Sequence, residues 1–362
     1  MRDPLLAREA RTAWLFLAPF LALLAVFFGY AALRTLWFSF TSYDLFTPPS
    51  FAGLANYRDI VTEPLFGHAL RNSLLFSAVV TVAKTILALL LASFVNRMTV
   101  ARGLVRTVFY VPSVVSSTVM TLIFLWLFSR QGLVTQGANW TANHWRQVLL
   151  FALVLAAAQA ALVLLARRRY RDVRPLDPLF LVWALMAAMA AAWLVGRFLP
   201  TGDRSEPISW LNTRATVLWM PVTLWSIALI NVFTTIPVLM LLYLAGLQSI
   251  PTALYEAAEL DGVPKWRQLT RITVPLLAPV TFGVVTLSIV GTLQMFDQVA
   301  IMGDAAPIES RVTLAYYTYY NTFPPGGAPR IGMASAGAVV LAILTLLIVY
   351  LQRRLGVSDK VN

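Results

Sequence analysis

The residues in this chain best suited to chemistry are few, and their spacing excludes most enzymes. There is no cysteine, which removes thiol nucleophiles, thiolate metal sites and disulfides, and the only imidazoles, His68 and His144, stand far apart. Nucleotide hydrolysis would need a loop of the form GxxxxGK[ST], whose backbone N–H groups and lysine hold the phosphates. The three lysines, Lys84, Lys265 and Lys360, follow Ala83, Pro264 and Asp359, so the chain has no such loop. Nothing calls for a cofactor, and the chain reads as a non-enzyme. What remains is binding and transmission.

Polar side chains set in apolar runs form the first candidate group. Asn231, Thr234 and Thr235 lie just before Pro237 in one run, and Ser288, Thr292 and Gln294 lie in the next. Inside a bilayer such groups are costly unless they face protein or water, so they either line a pathway or bond between helices. Lys84 falls in mid-run beside Ser77, Thr81 and Thr85. An unpaired ammonium there costs at least about 2.5–3.5 kcal/mol, so it must find a carboxylate, water or substrate. Asp297 sits at the outer end of its run, a place for a solvated or pairing acid. The aromatic run Ala315–Phe323, with Trp140, Trp145 and Trp210, suits sugar stacking and headgroup-level anchoring equally.

The second group is a dense mixture of acids and bases, YEAAELDGVPKWRQLTRITVPLLAP at 255–279, between two nearly uncharged stretches. Pro251 starts a helix, ALYEAAEL sustains it, and Gly262 can take the left-handed conformation that ends it. Pro264 then suits the first turn of a second short helix through about Thr270. Glu256, Glu259 and Asp261 against Lys265, Arg267 and Arg271 keep this elbow in water, and Leu254, Ala257, Ala258 and Leu260 give it a small apolar face. On composition alone it is equally a solvated loop.

These groups are carried by a membrane protein. Of its 362 residues 59% are hydrophobic and 12% charged, and the mean hydropathy is +0.73, outside the range of soluble domains. Apolar runs near the roughly 20 residues that cross a bilayer predict eight spans, at about 13–36, 72–95, 108–128, 147–166, 178–198, 218–246, 276–298 and 331–351. The first exceeds a cleavable signal segment and reads as a retained anchor. With the N-terminus inside, 17 of the 28 basic residues fall on cytoplasmic segments, the positive-inside bias. Splitting the uncharged stretch 215–255 into two spans would erase that bias, so it is read as one span kinked at Pro237, preceded by an interfacial stretch around Trp219 and Pro221. Both termini and the elbow are then cytoplasmic. The net charge of +12 is a matter of sidedness in the lipid bilayer and does not point to nucleic acid.

Glu256-Ala257-Ala258, Gly262, Ile272 and Pro275, within EAAELDG and ITVPLLAP, resemble the EAA loop of ABC importer permeases. Asn56-Tyr57, RTVFYVPSVVSS at 106–117, ALINVFTTIPVLMLLYLAGLQSIP at 228–251 and FDQVAIMG at 296–303 are similar to its carbohydrate branch, the maltose and glycerol-3-phosphate type. The resemblance covers roughly 13–136 and 215–352. It implies an all-α polytopic membrane protein with the type I ABC importer permease core. Spans 1–3 would lie in 1–136, an inserted two-helix hairpin in 137–214, and spans 6–8 with the coupling loop 247–275 in 215–352, followed by a cytoplasmic tail, 353–362. It further implies that Glu256 pairs with a base on an ATPase subunit, that Ala257 and Ala258 allow close packing and that Gly262 makes the bend, with Asp261 beside it. Asn231 falls on a substrate-contacting position. The implied partners are a second homologous permease, an ATPase dimer, an extracytoplasmic solute-binding protein and a carbohydrate. The outer loop GDAAPIESR departs from the family pattern, and the hairpin has no assigned role. An ion-coupled secondary transporter is the alternative, although the only mid-span charge is Lys84 and no inverted repeat is evident.

Overall fold

The computed structural model describes residues 4–97, 102–169, 178–195, 198 and 208–355. The basic loop at 170–177, with Arg171 and Arg174, and the tail from 356, with Lys360, lie outside them. Helix is the expected answer to long apolar stretches, because a chain in lipid must satisfy its own backbone groups. Among the described residues six helices are long and apolar enough to cross a membrane: Arg11–Phe38, Pro64–Asn96, Trp145–Ala166, Val222–Ser249, Ala278–Ala305 and Ile331–Arg354. A seventh predicted span is a broken pair, α5 (Arg102–Val114) and α6 (Ser117–Leu127), bent by 99°. Pro112 withholds a backbone N–H just ahead of that break. The remaining one is the shorter helix α9 (Pro178–Leu194). Each of the eight predicted runs is thus mainly helix among its described residues.

The chain forms two compact units, 1–123 with 211–362 and 124–210. In the first, α1 (Pro4–Leu24) passes through a π-turn into α2 (Tyr30–Phe38), and a two-stranded hairpin, β1 (Thr41–Ser42) and β2 (Ser50–Phe51), leads to α3 (Ala55–Thr62). Asn56 ties this segment together, its Nδ2 donating to the carbonyls of Ser39 at 2.9 Å and Thr41 at 2.8 Å. The centre is α4 (Pro64–Arg97) packed on α10 (Val222–Ser249) and α14 (Ala278–Leu293). Ala88, Ala92 and Val95 of α4 meet Leu239, Met240, Tyr243 and Leu244 of α10. Lipid provides no hydrophobic drive between helices, so small residues that bring backbones close matter most. Gly246 shows how close: a Cβ there would stand 2.8 Å from both Leu277 Cδ2 and Val280 Cγ2.

The stretch 215–255 holds a single span, as the charge count requires. Before it, β3 (Thr216–Val217) and β4 (Met220–Pro221) form a tight hairpin whose central residues, Leu218 and Trp219, have φ of 49° and 62°. Two positive φ values match the twist of paired strands, and Arg71 Nη2 holds the turn through the Trp219 carbonyl at 2.7 Å. Helix α10 then runs unbroken through Pro237. Beyond α14 come the short helices α15 (Asp297–Met302), α16 (Ile308–Arg311) and α17 (Leu314–Thr322), then α18 (Ile331–Leu355), which packs on α17 and α2.

In the second unit, α7 (Leu133–Asn143) leads into α8 (Trp145–Arg169), which packs on α9 with Val163, Ala184 and Ala188 buried.

Candidate functional site

The seventh predicted span does not continue to its expected end. Helix α14 stops at Leu293, and the chain turns through Gln294, Met295 and Phe296 before α15 begins at Asp297. A break at such depth exposes backbone, and Thr313 Oγ1 answers by donating to the Met295 carbonyl at 2.8 Å. The turn faces the middle of α10 across a cavity of about 300 Å³. Asn231, Thr234, Thr235 and Gln294 all line it, together with Gly291, Met295 and Ser117. Phe296, Asp297 and Gln298 complete the wall.

The polar groups here are only partly satisfied by one another. Asn231 is buried, and its Nδ2 donates to Gln298 Oε1 at 3.0 Å. Its Oδ1 is buried with no partner. Thr234 and Thr235 turn their hydroxyl hydrogens back to carbonyls of their own helix, at 3.0 Å to Ile230 and 2.6 Å to Asn231, which leaves their lone pairs toward the opening. Phe296 belongs to an aromatic group with Tyr316 and Tyr319, at centroid distances of 6.4 and 5.0 Å. The result is a polar pocket of amides, hydroxyls and one carboxylate with one aromatic face, suited to a ligand rich in hydroxyls.

The other predicted pathway residues lie elsewhere. Ser288 and Thr292 are buried and do not line the cavity. Thr292 Oγ1 donates to the Ser288 carbonyl at 2.7 Å and stands 2.8 Å from Ser77 Oγ on α4, so it bonds between helices. Their spacing relative to Gln294 places them on another face of the helix. Lys84 is 2% exposed, with no ion pair among the described residues, and it does not line the cavity. Asp297 is exposed, as expected of a solvated acid. Ser117, Phe296 and Gln298 were not singled out individually. The available signal was the concentration of polar residues in QMFDQ, where a helix in lipid would have to break.

At the opposite end of α10 lies the charged elbow. Helix α11 (Thr252–Leu260) begins after Pro251, as expected. Gly262 has φ of +70°, its N–H donates to the Glu259 carbonyl at 3.0 Å, and the Val263 N–H donates to the Ala258 carbonyl at 2.9 Å. Those two bonds close the helix end with a left-handed glycine. Helix α12 (Lys265–Gln268) follows Pro264 but does not stop near Thr270. It passes through a π-turn at Leu269–Thr273 into α13 (Val274–Leu276) and so into α14. Tyr255 and Thr273 share a hydrogen bond of 2.9 Å, Gln268 Nε2 donates to the Val263 carbonyl at 3.0 Å, and Lys265 pairs with Glu259. Glu256, Ala257, Asp261 and Gly262 face outward, while Ala258 is buried in the chain itself. Leu260 is 90% and Trp266 70% exposed, an apolar surface with none of the described residues upon it.

A third feature lies on the segments outside the spans. Glu63 accepts from the Tyr317 hydroxyl and from Arg330 Nη2, the latter at 2.9 Å, linking the start of α4 to α17 and α18. Burial, followed by the bond to Glu63, pushes the Tyr317 phenol well above the usual tyrosine range. Of the aromatic run, Tyr316 and Tyr317 are therefore core residues, and Tyr319 and Phe323 are exposed.

Residues 84–357 match the family described as binding-protein-dependent transport system inner membrane component. The lactose transport system permease protein of Rhizobium radiobacter is 28% identical over 94% of this chain and 92% of its own length. The trehalose/maltose transport system permease protein of Thermococcus litoralis is 25% identical over 95% and 94%. Among solved structures, a bacterial ABC transporter involved in import of the acidic polysaccharide alginate has the same fold, with a TM-score of 0.65, 18% identity and 97% of each chain covered.

Proposed function

This chain belongs to the family of binding-protein-dependent transport system inner membrane components, and on that premise we propose how it moves a carbohydrate across the membrane. It is one half of the translocation path of an ABC importer. A second, homologous permease supplies the other half, an extracytoplasmic binding protein delivers the sugar, and a separate ATPase pair hydrolyses the nucleotide that this chain has no loop to hold. Relatives named for lactose and for trehalose and maltose support the substrate class.

One observation carries the reading. The two helices that wall the cavity, α10 and α14, are also the two helices that the elbow joins. In this reading Glu256, Ala257, Asp261 and Gly262 meet the ATPase, with Leu260 and Trp266 seated in its surface, and Ala258 serves the contact from beneath by letting α11 lie close on its own bundle. Closure of the ATPase pair moves the elbow as a body. The π-turn transmits that movement into α14 without a flexible joint, and the cavity wall at Gln294–Gln298 moves against Asn231, Thr234 and Thr235. Such a device needs two discrete arrangements, which a packed helix pair provides and a solvated loop does not. Ser288 and Thr292 would then act as the α4–α14 contact on which the movement turns. The elbow and both termini are cytoplasmic in this scheme.

The test is Glu256→Lys in the assembled importer. Membrane abundance should stay normal while uptake and substrate-stimulated ATP hydrolysis fall to background. Normal uptake in that variant, or uptake that survives deletion of the ATPase, would remove the coupling role.

A further inference from the structure

Which carbohydrates the cavity admits is a question of charge. Its only ionisable lining residue among those described is the carboxylate of Asp297, and no lysine, arginine or histidine reaches it. The buried cations Arg311 and Lys84 do not line it. Arg311 is buried, with Nε on the Ala306 carbonyl at 3.2 Å, Nη1 on the Val299 carbonyl at 3.1 Å and its guanidinium over the Tyr316 ring at 4.7 Å. Among the lining side chains the Asp297 carboxylate alone carries a charge, beside the neutral amides of Gln294 and Gln298 and the Ser117 hydroxyl.

We propose that this cavity selects uncharged glycans and rejects anionic ones, with Asp297 as the discriminating residue. The inference rests on the reading of the cavity as the sugar path. An uncharged sugar offers hydroxyls to the Gln294 amide and the Asp297 carboxylate and an apolar ring face to Phe296. A uronate or phosphate brings a charge that meets that of Asp297 with no cation among the described lining residues between them. In a cavity of about 300 Å³ a ligand charge is held within about 8 Å of Asp297. At an effective dielectric of about 20 to 40, repulsion over that distance weakens binding on the order of tenfold. The fold shared with the alginate importer thus does not extend to its acidic cargo.

Because the chain has no cysteine, Thr234→Cys places a single thiol of this subunit in the cavity. Its maleimide labelling would be followed on the isolated subunit band of the reconstituted importer, with Thr235→Cys as a second reporter. The probes are maltotriose, lactose and arabinotriose, against trigalacturonate and glycerol 3-phosphate. At least one neutral sugar should slow labelling, and the anions should need about tenfold higher concentration or more for the same protection. Asp297→Asn should narrow that gap. Anions that protect as well as the neutral sugars, or a gap that Asp297→Asn leaves unchanged, would overturn the charge selection while leaving a sugar path in place. Labelling that no sugar of either class slows would overturn the path itself, and the selection with it.

Discussion

Substituting Gly262 separates a bend that needs a particular backbone conformation from one that merely needs room. With φ at +70° the residue is in the left-handed region, yet a Cβ built there meets no atom within 4 Å. Alanine therefore clashes with nothing and incurs only the left-handed penalty of roughly 1–2 kcal/mol, a five- to thirtyfold loss in the population of the bent elbow. Asparagine, which tolerates this region, should lose less than alanine. Valine, stiff at χ1, should lose more. Proline cannot adopt a positive φ and removes the N–H that donates to Glu259 at 3.0 Å, so its cost of about 3 kcal/mol or more ends the motif. The bonds from Val263 to Ala258, Gln268 to Val263 and between Tyr255 and Thr273 hold the elbow from both sides. For that reason alanine should weaken coupling rather than abolish it. The assay is substrate-stimulated ATP hydrolysis of the reconstituted importer at equal subunit abundance, with the expected order glycine, asparagine, alanine, valine, proline. An alanine variant as inactive as proline, or a proline variant with normal stimulation, would refute the conformational argument.

Other expectations follow from the same packing. Asn231→Ala removes the donor to Gln298 Oε1 and should weaken uptake about fivefold or more, read as a rise in half-saturation with ATP hydrolysis in the absence of substrate unchanged. Gly246→Ala forces a Cβ against Val280 Cγ2 at 2.8 Å; because valine has little rotamer freedom, the cost should be about 1–3 kcal/mol and appear as a lower thermal midpoint in detergent. Lys84→Met, which removes a buried ammonium with no ion pair among the described residues, should raise that midpoint. A fall would mean that the ammonium has a partner in the assembled importer. Tyr317, held above its ordinary value by burial and Glu63, keeps its proton in the folded state to higher pH than in the unfolded state. Its contribution is therefore complete below about pH 10 and lost as pH rises past the unfolded tyrosine value. Tyr317→Phe should show a lower midpoint at neutral pH and less of that alkaline decline.

What could be read from the sequence divides along a physical line. Interactions local in the chain were legible: the start of α11 at Pro251, the left-handed Gly262 and the second turn after Pro264 each depend on one residue's backbone preferences, and each appears where expected. The single span in 215–255 was legible because charge counts sidedness, and sidedness does not depend on packing. Which face of a helix a polar residue occupies was not legible. Asn231, Thr234, Thr235 and Gln294 meet at one cavity, while Thr292, two residues earlier, bonds to Ser77 of α4 and Ser288 is buried away from the cavity. Serine and threonine cost little in either place, so their presence in a span gives no direction. The break at Gln294–Phe296 adds what periodicity cannot, since it brings Phe296, Asp297 and Gln298 to the cavity. Its support comes from Thr313, eighteen residues on, and a contact at that separation leaves no periodic trace. The same holds for Glu63 with Tyr317 and Arg330: an acid at a helix start and a tyrosine in an aromatic run carry no mutual signal until the fold brings α4, α17 and α18 together. The polar residues of a transport path are therefore best sought where a helix fails, because there the backbone itself requires partners and the ligand can be one of them.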